Sequence, residues 1–290
     1  MAVPLIPPVS QGSPDAVSAG ELEELEIELL LEAVYRRYGF DFRQYAVASL
    51  KRRLWRRLAA EGLTTISELQ AKLLHDRQCM ERLLLDLSIN VTSMFRDPTF
   101  YSAFRQKVVP MLRTYPFTRI WCAGCSTGEE VYSLAIMLEE EGVYERTRIY
   151  ATDINENVLA TARAGVFPLA KMQQYTQNYI RGGGKHDFSR YYVAAYDGAQ
   201  FSRSLTENVV FAQHNLATDR AFNEFNAIIC RNVMIYFDKT LQDRVHDLFY
   251  ESLESFGILA LGHKESVAFS PYSDDYEVVD AAERIYRKIK

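Results

Sequence analysis

The sequence predicts an α/β protein: a doubly wound, largely parallel sheet carrying a small β insert, preceded by a small all-α domain. Three observations carry this reading. Apolar residues between Glu21 and Leu87 recur only at helical spacing, short apolar runs alternate with helical stretches from Arg119 onward, and several of those runs stop at polar residues, where such a sheet gathers its loops. At 290 residues, with 48% apolar and 24% charged side chains, the chain is long enough for one large domain and a smaller companion.

Residues 1–20 are rich in Pro, Ser, Gly and Val and almost uncharged, so a disordered tail is expected. Residues 21–87 form the helical domain: Leu25, Leu29 and Ala33 share one face, Val47, Leu50, Leu54 and Leu58 a second, and Leu69, Leu73, Leu83 and Leu87 a third. Its middle helix carries Lys51, Arg52, Arg53, Arg56 and Arg57 with no acidic residue between them. Such a face is either solvated or a docking surface for an acidic partner, and the unrelieved like charge favours docking.

Residues 88–290 form the second domain. A polar and aromatic linker, Asn90 to Pro98, leads into a helix over 99–112. Arg119 to Ala123 reads as the first strand, a small-residue turn follows, and Val131, Leu134, Ala135 and Leu138 mark a helix. The second strand, Arg148 to Thr152, closes at Asp153 and precedes a helix over 154–164; the third, 208–213, ends near Asn215. The fourth, 226–230, is followed by Arg231-Asn-Val-Met-Ile-Tyr-Phe237 and a helix over 239–253; 258–261 is a fifth, and 277–279 with 284–289 a terminal hairpin. The segment from about 168 to 207 breaks the alternation. There Gly182, Gly183 and Gly184 precede the β-prone Tyr191, Tyr192 and Val193, which predicts an inserted β element.

A net charge of -5 argues against nucleic acid as a partner. The sequence shows neither a basic, apolar leader nor a run of transmembrane length, so a cytoplasmic location without stable membrane insertion is expected, as a monomer. Cys122 and Cys125 make a Cys-x-x-Cys, but Cys122 falls inside a strand, and with Cys79 and Cys230 these read as buried thiols of a reducing compartment. No metal is expected, because no second cysteine pair completes a site and His75, His186, His214, His246 and His263 are scattered.

The strand-end residues should line one crevice. Gly124 and Gly128 let the first turn bend and a ligand approach backbone, while Glu129 and Glu130 in the helix's first turn would repel a pyrophosphate but could accept from an ammonium. Dinucleotides ask for Gly-x-Gly-x-x-Gly, and the turn here is Ala-Gly-Cys-Ser-Thr-Gly-Glu. Asp153 is placed to accept both hydroxyls of a ribose. S-adenosylmethionine has that ribose, an adenine for Asn215 and Leu216, and an amino-acid end for Glu129 and a cation, which makes methyl transfer the leading hypothesis.

Five motifs in register, Asn90-x-Thr92-x-x-Phe95-Arg96, Ser126-Thr-Gly-Glu-Glu130-x-Tyr132-Ser133, Ala151-Thr-Asp153, Asn215-Leu216 and Cys230-Arg-Asn-Val-Met-Ile-Tyr-Phe237, resemble the CheR family of chemotaxis-receptor glutamate O-methyltransferases. The resemblance spans about residues 21–290. It implies a Rossmann-like S-adenosylmethionine-dependent methyltransferase domain with a three-stranded β subdomain, and a helical domain that helps dock the methylation helices of chemoreceptors. It implies that Asp153 holds the ribose, that Asn215 and Leu216 frame the adenine, and that Glu129 and the Ala123 backbone hold the ammonium. Asn90, Thr92 and Arg96 then close over the methionyl end, with Arg231, Asn232 and Tyr236 beside the transferable methyl and S-adenosylhomocysteine as product.

Esterifying a glutamate needs no general base, because the nucleophile is already ionised near neutral pH; it needs alignment. Tyr236 as a donor and Arg96 as a cation are the residues expected to align it. Two other readings fit the same fold: a methyltransferase acting on a small molecule or RNA, and a non-catalytic S-adenosylmethionine-binding signalling module.

Overall fold

The computed structural model describes residues 18–87 and 92–290. Ser18 caps α1 (Ala19–Tyr38): its hydroxyl accepts from the Glu21 N–H and the Glu21 carboxylate accepts from the Ser18 N–H, a reciprocal capping box. Residues 18–20 therefore belong to the helical domain and not to the expected tail, whose remaining residues lie outside the described ones. With α2 (Val47–Ala60), α3 (Ile66–His75) and α4 (Arg77–Leu87), α1 encloses a core of Leu30, Val34, Leu50, Leu54, Leu69 and Leu83.

The helix expected over 99–112 is three pieces: α5 (Pro98–Ala103), a π-helical turn (Phe104–Val108) and α6 (Val109–Leu112). Arg105 in the wide turn pairs with Glu140 and Glu141 and donates to the Gly182 carbonyl, anchoring the insert to the main domain. The chain then runs β1 (Thr118–Ala123), α7 (Glu129–Glu140), β2 (Thr147–Asp153), α8 (Glu156–Ala164), β3 (Val166–Pro168), α9 (Met172–Arg181), β4 (Tyr192–Ala195) and β5 (Gly198–Phe201). It continues through β6 (Val209–Gln213), β7 (Phe225–Cys230), α10 (Lys239–Ser252), β8 (Leu253–Leu261), β9 (Tyr276–Asp280) and β10 (Ile285–Lys288).

The main sheet has the order β6-β2-β1-β7-β8-β10-β9, with β10 antiparallel to both neighbours. Alternation along β1 sends Ile120 and Cys122 into one layer and Trp121 and Ala123 into the other, so both faces of the sheet are covered. Strand order reverses beside β1, and the crevice between β1 and β7 opens at their carboxyl ends.

The insert has the order β3-β5-β4 but starts at Val166, and it includes a helix where only β structure was expected. Met172, Tyr175 and Tyr179, at i, i+3 and i+7, form the buried face of α9. The two domains meet in a short backbone seam: Ala46 N–H donates to the Tyr236 carbonyl at 2.9 Å, Asp238 N–H donates to the Gln44 carbonyl at 2.8 Å, and Tyr45 pairs with Phe237 as an isolated antiparallel bridge.

Candidate cofactor cleft and methyl-transfer loop

The carboxyl ends of β1, β2, β6 and β7 open into one cleft, with an empty volume of about 1000 Å³ including its open mouth. Phe42, Tyr45 and Leu87 of the helical domain wall one side, so both domains contribute to it. Gly124 lies in the left-handed region at φ 78°, and a Cβ there would fall 2.5 Å from Val233 Cγ2. Only glycine lets the β1 turn and the loop after β7 press together this closely. The Gly124 and Cys125 N–H groups both donate to the Thr152 carbonyl, tying the turn to β2.

Asp153 is buried at the end of β2. One carboxylate oxygen accepts from Ser126 N–H at 2.9 Å and the other from Asn155 N–H at 3.0 Å. Burial pushes its carboxyl above the usual aspartate range, and the backbone N–H groups act in the opposite direction. Asn215 and Leu216 line the cleft after β6; the Asn215 side-chain oxygen accepts from Ala217 N–H at 3.0 Å and so shapes its own turn. Thr92 and Arg96 line the mouth, while Asn90 lies outside the described residues.

Two expected ligand groups sit elsewhere. Ala123 and Glu129 are absent from the lining of the cleft. The Glu129 carboxylate turns away from it, accepting from Thr127 Oγ1 at 2.6 Å and from Tyr175 of α9 at 3.2 Å. Its neighbour Glu130, about 100° further round the helix, reaches the cleft instead.

Arg231 lines the cleft, yet its guanidinium is a fastener: it pairs with Asp97 at 2.8 Å and Glu130 at 3.4 Å, donates to the Arg96 carbonyl at 3.3 Å and lies 4.0 Å over the Phe100 ring. It ties the linker bearing Arg96 to α7 and the end of β7. Asn232 follows in the left-handed region at φ 62°. The loop from Asn232 to Ile235 is held by Glu265, which sequence reasoning left without a role. One Glu265 oxygen accepts from Gly262 and Asn232 N–H at 2.6 and 3.0 Å, the other from Val233 and Ile235 N–H at 2.9 and 3.3 Å. Burial raises the carboxyl of Glu265 while these backbone donors resist the rise.

The basic helix face is mostly consumed inside the protein. Arg53 is buried, donates to the Leu87 carbonyl at 2.8 Å and places its guanidinium 5.1 Å from the centre of the Tyr236 ring. Arg57 is paired with Asp86 and Glu61, and Lys51 with Glu23. Arg52 and Arg56 remain exposed, Arg56 with 78% of its side chain and Asp86 at 3.9 Å. The exposed part of the five-residue cluster is therefore Arg52 and Arg56, with Arg53 behind the surface against Tyr236. All four cysteines are free and buried, and burial pushes the thiols of Cys122, Cys125 and Cys230 well up. Among the described residues no helix is long and apolar enough to cross a membrane.

Residues 90–284 match the family model described as "CheR methyltransferase, SAM binding domain", and residues 25–88 match "CheR methyltransferase, all-alpha domain". A Pseudomonas putida protein provisionally named methyltransferase Cher3 is 52% identical over 265 residues, 91% of this chain and 97% of that one. Chemotaxis protein methyltransferase 2 of Pseudomonas aeruginosa is 32% identical, covering 83% of this chain and 86% of its own. The chemotaxis protein methyltransferase of Salmonella typhimurium is 30% identical over 84% and 85%. Both domains matching in chain order on a doubly wound sheet lead to one assignment: the chain belongs to the CheR methyltransferase family and uses S-adenosylmethionine as its cofactor.

Proposed function

We propose that this methyltransferase esterifies glutamate side chains on the cytoplasmic methylation helices of chemoreceptors. The observation that carries the reading is the match of both domains, in chain order, to the CheR methyltransferase models. In the cleft the Asp153 carboxylate accepts from two backbone N–H groups and Glu130 pairs with Arg231, while His214 meets the Arg220 carbonyl through Nε2 and leaves Nδ1 without a partner. A glutamate carboxylate, already ionised near neutral pH, needs alignment in the cleft and no base. The names of the Pseudomonas aeruginosa and Salmonella relatives support the same assignment.

Bound in this cleft, the cofactor supplies an activated sulfonium methyl. Asp153 would accept from the ribose hydroxyls, Asn215 and Leu216 would frame the adenine, and Glu130, which lines the cleft where Glu129 does not, would accept from the ammonium. Thr92 and Arg96 cover the methionyl end, with Arg96 supplying the cation for its carboxylate. Tyr236, braced from behind by Arg53, donates to the incoming glutamate and leaves its second oxygen aligned for attack.

Incubating the full chain with labelled cofactor and a receptor cytoplasmic fragment, then treating with alkali, is expected to release volatile labelled methanol, because carboxyl methyl esters are base-labile. Label that stays fixed to protein, or that moves to RNA or a small molecule, overturns the reading. Reversing Arg52 and Arg56 to Glu is expected to raise KM for the fragment about tenfold through lost charge complementarity, with cofactor affinity by calorimetry unchanged.

Cofactor binding should also depend on pH through Asp153. Hydroxyl donors favour the carboxylate, so binding is linked to proton release: affinity is full above the Asp153 pKa and falls as pH drops through it. Because burial raises that pKa, the fall begins above the range of an exposed aspartate. The sign for folding is opposite, since the raised group adds stability only at low pH and loses it as pH rises through the folded value. Asp153→Asn should weaken binding at least about tenfold and flatten the calorimetric pH profile.

A further inference from the structure

The loop from Arg231 to Phe237 is a wall with two sides. The cofactor cleft lies on one. On the other, a second groove runs between α10 and the segment after β8, lined by Met234, Ile235, Lys239, Lys264, Glu265 and Phe269 among others. The Phe269 ring is 82% exposed at its rim, although its backbone is pinned: the Lys239 ammonium binds the Phe269 carbonyl. An aromatic side chain presented to water from a fixed backbone, beside a recess that Met234 and Ile235 line together with polar residues such as Gln242 and Ser266, is a ready anchor point. Lys264 is exposed beside it, whereas Lys239 is partly neutralised by Asp243.

We propose that this groove is the second half of the docking surface for the methyl-acceptor helix, with Phe269 as apolar anchor and Lys264 as the cation facing its carboxylates. The inference rests on the glutamate-methyltransferase reading. Two observations select an acidic helix as occupant. The exposed cations of the two flanks are Arg52 and Arg56 on the helical domain and Lys264 here, whereas Lys239 is paired with Asp243 and the Glu265 carboxylate is buried on the loop's backbone N–H groups. The loop that carries Tyr236 also lines both hollows, with Asn232, Val233, Tyr236 and Phe237 in the cofactor cleft and Met234 and Ile235 in the groove. The contact has a mechanical consequence as well. Glu265 lines the groove and its carboxylate holds the Asn232, Val233 and Ile235 N–H groups, so docking presses on the residue that sets the shape of the methyl-transfer loop.

The test uses the full chain and a receptor cytoplasmic fragment, comparing wild type with Phe269→Asp and Lys264→Glu. Both sites are solvent-facing, and cofactor affinity by calorimetry with the thermal midpoint confirms that each variant folds. The expected result is a KM for the fragment raised about tenfold by Phe269→Asp and several-fold by Lys264→Glu, with cofactor affinity unchanged. An unchanged KM in variants of a wild type that does form base-labile esters overturns the groove and leaves the glutamate reading standing. A wild type that forms no such esters overturns both.

Discussion

Replacing Glu265 by Ala is expected to reduce kcat/KM for methyl transfer at least about 100-fold, the scale of a misplacement near 1 Å at a reacting centre. Four backbone N–H groups, of Gly262, Asn232, Val233 and Ile235, lose their common acceptor at once. Asn232 then has no clamp holding it in the left-handed conformation, and Tyr236 is carried on the same loop. Charged hydrogen bonds contribute about 1.5–3 kcal/mol each, but they share one carboxylate, so a total near 4 kcal/mol is expected in urea unfolding. Glu265→Gln keeps one acceptor oxygen and sets an NH₂ against the other pair of N–H groups. It should fall between wild type and Ala in both measurements; full activity in Glu265→Ala would mean that the loop holds its shape without the carboxylate.

The second large effect belongs to Arg231. Arg231→Ala leaves Asp97 and Glu130 without their shared cation and removes the stack on Phe100. Stranding a buried carboxylate costs about 3–5 kcal/mol, and partial exposure of Asp97 brings the expectation to about 3. The Arg96 carbonyl loses its donor too, so the linker over the methionyl end loosens, and the cofactor Kd should rise about tenfold. Arg231→Lys restores the charge but neither the planar fork nor the ring contact, and should recover only part of the loss. Urea unfolding and calorimetry separate the two contributions. A variant with normal stability and weak cofactor binding would instead make Arg231 a direct ligand group.

The sheet was legible because each strand is a short apolar run and each functional turn follows it directly, so Asp153 and Asn215 could be placed by counting to the ends of strands. Glu265 could not be found that way. Three of its four partners are backbone N–H groups 30 to 33 positions away, and a backbone donor leaves no trace in the identity of Asn232, Val233 or Ile235. The charge run on α2 did hold an unused signal. Arg53 and Arg57 stand at i+3 and i+7 from Leu50, on the buried stripe itself, whereas Arg52 and Arg56 stand off it. Spacing thus distinguished the internal cations from the external ones. The same was true of α9, where Met172, Tyr175 and Tyr179 keep a helical period that the neighbouring glycines and β-prone tyrosines obscured. Between Glu129 and Glu130, sequence offered no choice: both occupy the first turn of α7, and only the rotation of that helix against α9 decides which one meets the cleft.

The seam at Tyr45 and Phe237 bears on how the enzyme stays in one piece. Among the described residues, two backbone hydrogen bonds, a few rings and the Arg53 guanidinium over Tyr236 join the helical domain to the sheet domain, and the cleft takes wall residues from both. A ligand seated there touches two folding units at once, and its affinity adds to their mutual attraction by mass action. S-adenosylmethionine is in that sense an adhesive as well as a reagent: the helical domain is expected to sit most firmly against the sheet domain while a methyl group is available to transfer.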